Sequence, residues 1–302
     1  MTPRRLLAAA IVLASLGAAS QTRLAAQPNL RAMYVSVVDE AGAPVPGLGP
    51  SDFMVREDNI AREVLRVAPA DEPMQIAVLV DTSQAARNDI AYMRTALPTF
   101  VAALTSASEG ERKNQVAIIG FGERPTILAE FSTSPAALQK GIDRIWPMAS
   151  SGPYLLDAIS ETCQGFKKRE ALRPVIVAIA AEGEELSYQS FQQVLDRLGS
   201  ANAPLYALML GTPYSGQSDE SRNRQIVLDR GTSTTGGYRE QLLTGMALGG
   251  KLKLLAGQLT HQYLVTYSRP ESLIPPDRIT VAATRPGMTA RGTPAKTTKA
   301  GA

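Results

Sequence analysis

The stretch "IAVLVDTSQAARND", Ile76 to Asp89, decides how the rest of the chain is read. It opens on a continuous apolar run, as a strand covered on both faces should. The run stops at an acid, Asp81, followed by Thr82 and Ser83. Beyond it, Ile90, Met93, Leu97, Val101 and Leu104 recur at helical spacing and mark one face of a helix. Pro98 falls within that helix and is expected to kink or divide it. A buried strand followed by an amphipathic helix is the opening unit of a parallel sheet.

The same alternation continues outward. Residues 75–80, 115–121, 126–131, 174–180 and 204–210 read as strands, with a helix over 157–168 and another marked by Phe191, Val194, Leu195 and Leu198. Residues 211–237 are polar and read as a long surface excursion; a helix follows, striped by Leu248, Leu252, Leu255 and Leu259. Before residue 72 the pattern differs. "MYVSVV" (33–38), "FMVRED" (53–58) and "AREVLRVAP" (61–69) are short strands with no helix between them. "HQYLVTYS" (261–268) and "RITVAAT" (278–284) likewise lack following helices. The expected fold is α/β: a doubly wound, Rossmann-like, mostly parallel sheet over about 72–260. A small antiparallel β module is expected from an N-terminal segment, 31–70, and C-terminal strands, 261–292. Residues 293–302 read as a flexible tail.

The first residues stand apart. Arg4 and Arg5 precede an apolar run, Leu6 to Ala19, and small residues follow up to Ala26. That is the layout of a secretory signal peptide over 1–26, and the run is shorter than the roughly 20 residues a spanning helix needs. The expected location is periplasmic or extracellular, with no stable membrane span after cleavage. The chain is formally +3; removing Arg4, Arg5 and Arg23 with the leader leaves it neutral. A neutral chain offers no electrostatic footprint for nucleic acid. A single cysteine, Cys163, cannot staple an exported chain, so stability must come from an apolar core, and 44% hydrophobic residues suffice for one.

Three kinds of chemistry can be weighed at the strand ends. A nucleotide loop is unsupported: "GFG" at 120–122 leads to Pro125, where G-x-G-x-x-G needs a third glycine. A hydrolase would have to use the one histidine, His261, which lies far in sequence from every strand end where a doubly wound fold places its site. Cys163 keeps step with Leu155, Ile159 and Phe166, an inward stripe, and reads as an inert thiol. The chain is therefore read as non-enzymatic. A metal site remains: Asp81 ends one buried strand, Glu182 follows another, and Ser83 could supply an oxygen between them. The alternative is that Asp81 caps the next helix and Glu182 is a solvated loop acid.

At these residues the chain resembles the von Willebrand factor type A family, and more closely a branch of secreted bacterial proteins carrying that domain. "VVDEAGAPVPGLGPSDFMVREDN" is similar to that branch's leading β segment; "LVDTSQA" stands where the family has D-x-S-x-S. "SSGPYLLDAI" stands where it has G-G-T-A-L-Y-D-A-I, and "VIVAIAAEGEE" where a strand ends in T-D-G. "TGGYRE", the 248–259 helix and "HQYLVTYS" are similar to its closing part. The resemblance implies a metal-ion-dependent adhesion site of five side chains. Asp81 and Ser83 match its first two positions; Ala85 and Pro153 stand at two others and carry no side-chain oxygen; Glu182 replaces an aspartate. The implied site is degenerate, holding Mg²⁺ or another divalent cation weakly or not at all, with Thr82, Ser150, Ser151 and Glu184 as nearby substitutes. The implied function is recognition of a protein partner through the face around Asp81, Pro153 and Glu182. The alternative is a scaffold or assembly subunit of an envelope complex whose β module makes the contact.

Overall fold

The computed structural model describes residues 29–106, 113–149, 151–270 and 274–296. The leader and the end of the tail lie outside the described residues. In chain order, β1 (Asn29–Val38), β2 (Phe53–Glu57), β3 (Ile60–Arg62) and β4 (Val64–Pro69) come first. Then follow β5 (Gln75–Val80), α1 (Ile90–Thr105), β6 (Gln115–Gly120), β7 (Thr126–Ser132), α2 (Pro135–Ile142) and α3 (Leu155–Lys168). They lead to β8 (Pro174–Ala181), α4 (Phe191–Ala201), β9 (Leu205–Leu210), α5 (Asp219–Ile226), α6 (Thr232–Thr235) and β10 (Tyr238–Leu242). The chain closes with α7 (Leu248–Thr260), β11 (Tyr263–Arg269), β12 (Ile279–Ala283) and β13 (Thr289–Pro294).

Six strands make the central sheet, in the order β10-β9-β8-β5-β6-β7. All neighbours pair in parallel except β7, which returns antiparallel beside β6. Alternate residues of β5 serve opposite cores, as period-two side chains must. Ile76, Val78 and Val80 pack with Met93, Leu97 and Phe100 of α1 and Leu252 and Leu255 of α7. Ala77 and Leu79 pack with Ile159, Cys163 and Phe166 of α3 and Val194 and Leu198 of α4. Both faces are thus covered, and every residue of β8 is buried. The chain leaves β5 for β6 on one side, while β8 lies on the other. The carboxyl ends of β5 and β8 therefore flank the crevice where an open α/β sheet places its site.

The two chain ends build two antiparallel sheets, β13-β1-β11-β4 and β12-β2-β3. Met33, Val35, Phe53, Val55, Val265 and Tyr267 share one core between them. Arg173, just before β8, joins this module to the central sheet. Its Nη1 donates to the carbonyls of Ala70 (3.1 Å) and Glu72 (2.6 Å), and its Nη2 to Gln262 Oε1 (2.6 Å). Its guanidinium lies 4.6 Å from the ring centre of Tyr34 on β1. Burial lowers its pKa to about 10, so it stays charged at neutral pH.

Several sequence expectations are corrected. The helix over 90–105 is not divided at Pro98, and its apolar stripe packs on both sides of the proline. The strand read over 61–69 is two strands, β3 and β4, in different sheets. The stretch 211–237 is no excursion: α5, a π-helical turn (Val227–Gly231) and α6 run through it. No apolar stripe announces α5, because its buried inward residues are Ser221 and Arg224. The tail boundary at 293 is also too early. Thr289–Pro294 is a strand, formed because β1 offers it a free edge rather than by any alternation of its own.

Arg173 is the joint's main polar tie. Arg173→Met would leave three acceptors short of a donor, at roughly 1–3 kcal/mol for each that stays buried and unpaired. A loss of roughly 2–4 kcal/mol in unfolding free energy is expected by urea denaturation. An unchanged midpoint would show that the joint does not depend on it.

Candidate functional site

Asp81 sits immediately beyond β5, fully buried. Its Oδ1 accepts from the Ser83 amide (2.8 Å) and its Oδ2 from the Ala181 amide (3.0 Å), so one carboxylate ties the ends of β5 and β8. Burial pushes its pKa up; the Ser83 side chain, the two amides and the charge of Arg224 work against that rise. Ser83 Oγ is buried close to the Asp81 carboxylate, whose charge it favours, but meets no hydrogen-bond partner in good geometry. Thr82 Oγ1 accepts from Gly122 N at 2.9 Å. A Cβ on Gly122 would lie 2.5 Å from the Thr82 carbonyl oxygen, which explains the second glycine of "GFG" without any phosphate.

Glu182 begins in the same crevice but its carboxylate is engaged elsewhere. Oε1 accepts from Arg239 Nη2 (3.4 Å) and Oε2 from the Tyr214 amide (3.3 Å). Arg224 Nη2 is 3.9 Å from Oε2. Arg224 is itself 1% exposed. It reaches in from α5, donating to the carbonyls of Ala181 and Gly183, both at 2.7 Å. Its Nε is 3.9 Å from Glu185 Oε2. Arg239 also donates to Gln225 Oε1 (2.6 Å) and Asp229 Oδ1 (3.0 Å), completing a cage of charge around Glu182.

These residues do not fit a hard divalent ion. Ala85 is exposed and Pro153 buried, both without a side-chain oxygen, and Pro153 uses its carbonyl to accept from Leu186 N. Both Asp81 oxygens hold amides, and Glu182 is paired with arginines. Only Ser83 Oγ remains uncommitted, whereas Mg²⁺ asks for near-octahedral oxygen ligands. The nearby substitutes are also spent: Ser151 Oγ donates to Met148 O (2.7 Å), and Glu184 accepts from Tyr214 OH (3.4 Å). Ser150 lies outside the described residues. Among the described residues, no three His, Cys, Asp or Glu side chains are grouped to hold a metal.

Asp81, Ser83 and Glu182 lie at the strand ends where the sequence puts them, without forming the shared ligand set expected of them, and Arg224, Arg239 and Glu185 were not foreseen. One signal was present: "EGEE", three acids in four residues after a buried strand, demands a counter-charge. Its source could not be read, since Arg224 and Arg239 lie far along the chain. The enzyme candidates stay apart from this crevice. His261 is exposed at the end of α7, with Nδ1 near Gly257 O (2.9 Å) and Thr260 Oγ1 (3.1 Å). Cys163 is buried, which pushes its thiol up to about 12.

Around the crevice the loops brace one another through backbone hydrogen bonds: Met148 N to Thr82 O, Gln84 N to Ser151 O, and Leu186 N to Pro153 O. They expose a group of large side chains. Trp146 is 60% and Tyr188 86% exposed, and Met148 and Leu186 are exposed on the same two loops. Arg94 lies 4.4 Å over the Trp146 ring, and Tyr154 and Tyr188 pair with ring centres 6.1 Å apart.

Comparison with known proteins agrees with this fold. Residues 76–183 match the family model of the von Willebrand factor type A domain. A von Willebrand factor type A structure from Catenulispora acidiphila aligns with a TM-score of 0.51 at 10% identity, over 91% of this chain and 76% of that one. Proximal thread matrix protein 1 of the mussel byssus aligns at 0.50 and 16% identity, over 67% of this chain. This chain spans 50% of that protein's length. The vWF domain of the type V pili tip protein Mfa5 from Porphyromonas gingivalis aligns at 0.47 and 8% identity, over 63% of this chain and 96% of that one. At such identities the likeness is one of fold. No curated protein sequence matches.

Glu185 gives the site a pH dependence. Its carboxyl is pushed up to about 7 by burial, against the Ser187 hydroxyl, the Arg224 charge and the amides of Leu156 and Ser187. An unperturbed glutamic acid titrates at 4.5. The folded chain thus holds a proton that the unfolded chain releases, so this contribution is full below about pH 4.5 and lost as pH rises through 7. The gap corresponds to on the order of 3 kcal/mol at most. Denaturation of Glu185→Gln at pH 5 and pH 8 should show a flatter pH dependence than the parent. Equal slopes would remove Glu185 as its source.

Proposed function

We propose, from the premise that this chain carries a von Willebrand factor type A domain over residues 76–183, that it is an exported, non-enzymatic protein-binding module with a degenerate metal site. Export is supported by the basic head and the apolar run of residues 1–26. Among the described residues no helix is long and apolar enough to cross a membrane. A binding role without catalysis is supported by the one histidine closing a helix and the one cysteine held as a buried thiol.

One observation carries the recognition reading: Trp146, Met148, Leu186 and Tyr188 are all exposed on loops braced at the carboxyl end of the sheet. Large aromatic side chains held on preorganised loops are the usual anchors of a protein interface, and ordering them before contact lowers the entropy lost on binding. The partner would be a protein surface offering apolar pockets for the two rings. The scaffold reading draws on a different observation, the exposed Leu30, Ile60 and Leu65 on strands of the β module.

The two readings separate by mutation. The immobilised full chain is presented with envelope extract, and recovered partners are quantified. Trp146→Ser with Tyr188→Ser is expected to lower affinity about tenfold or more, in line with the loss of anchor residues. Ile60→Ser with Leu65→Ser should leave recovery unchanged. The reverse pattern would reject the recognition face in favour of the β module.

A further inference from the structure

We infer that the buried guanidinium of Arg224 takes over the charge-neutralising and loop-tying work of a divalent cation at the carboxyl ends of β5 and β8. This deepens the reading of the metal site as degenerate, and it stands independently of the protein-binding role.

Glu182 and Glu185 flank Arg224 just past β8, the Glu185 side chain fully buried and that of Glu182 4% exposed, and Asp81 is buried at the adjoining end of β5. Buried acids need a compensating positive charge or hydrogen-bond donors. A metal ion would supply charge and several directed contacts at once. Arg224 supplies the same kinds of contact from within the chain. Its fork holds the carbonyls on either side of Glu182, Ala181 and Gly183, at 2.7 Å each. It lies 3.9 Å from both Glu182 and Glu185. Its field also opposes the burial-driven rise in the Asp81 pKa. Arginine suits the task because its guanidinium stays charged when buried and presents a rigid fan of donors.

The geometry also tells against coexistence. Arg224 is delivered by α5, whose cap is firm: Ser218 Oγ accepts from the Ser221 amide at 3.1 Å. A π-helical turn follows directly. The guanidinium is thus fixed among the acids, and a divalent ion entering beside it would meet a like charge at short range. An arginine that merely capped two carbonyls would need no acids around it, and the two cases respond differently to added cations.

The test uses the full chain, with thermal unfolding and calorimetric titration of Mg²⁺, Mn²⁺ and Zn²⁺ as chlorides. The parent should show no shift with millimolar metal and none with EDTA. Arg224→Ala should unfold at lower temperature, recover in part on adding divalent metal, and gain at least about tenfold in metal affinity, within the usual range of coupling between sites. Should that variant fail to fold, Arg224→Met is compared with the same change combined with Glu182→Gln and Glu185→Gln. The neutralised combination should yield more folded protein than Arg224→Met alone. Saturable micromolar metal binding by the parent, abolished in Asp81→Ala, would overturn both this inference and the degenerate-site reading. A metal-indifferent Arg224→Ala, or a neutralised combination no better folded than Arg224→Met, would overturn this inference alone.

Discussion

The structure depends on one constraint: β5, β8 and β9 are covered on both faces. A strand sealed on two sides can carry no unpaired polar group, because burial without a partner costs a few kcal/mol. Ile76 to Val80, Pro174 to Ala181 and Leu205 to Leu210 are accordingly apolar throughout. Polar chemistry is driven to the strand ends, and at the switch between β5 and β8 it concentrates. Asp81 marks the boundary, since it can be buried there only by taking the amides of Ser83 and Ala181.

Two buried arginines solve the same problem at opposite ends of β8. Arg173 spans the carbonyls of Ala70 and Glu72, and Arg224 those of Ala181 and Gly183. In each case the guanidinium ties two carbonyls with one residue between them, Arg173 through Nη1 alone and Arg224 through both Nη1 and Nη2. At one end this locks the β module, through Gln262 and Tyr34, onto the central sheet. Three further bonds reinforce that joint: Thr293 Oγ1 to Thr235 O (2.6 Å), Lys296 Nζ to Ala171 O (2.6 Å), and Asn202 Nδ2 to Pro294 O. At the other end the fork steadies the loop that carries Glu182 and leads to Leu186 and Tyr188. Each end of the strand thus has a polar clamp that sets the geometry of a distinct surface.

The rim of the crevice is therefore displayed on a stiff support. Gly152 lies so close under Leu186 that a Cβ there would come within 2.4 Å of Leu186 Cδ1, so the two loops seat against each other. Backbone bonds from Met148, Gln84 and Leu186 tie the three loops together. A surface built this way needs little ordering on contact, which favours the binding of a complementary face over the induced assembly of a site.

The amino-acid sequence by itself determined the doubly wound sheet, the pairing of the chain's two ends in a β module, and the crevice position of Asp81, Ser83 and Glu182. Those features rest on local rules: continuous apolar runs for strands buried twice, helical stripes between them, and acids at strand ends. It also shows that Ala85 and Pro153, which stand at two positions of the adhesion site the resemblance implies, carry no side-chain oxygen. Only the tertiary structure decided where the carboxylates point and what neutralises them. Arg224 sits in a polar stretch without periodicity, and a buried arginine among charged neighbours looks like a solvated one until the fold brings Ala181, Gly183, Glu182 and Glu185 to it. The same holds for β13, "TARGTP", which has no strand pattern and forms because β1 leaves an edge to be paired. Periodicity records how a segment meets a core; it carries no record of a single long-range charge or of a neighbour's free edge.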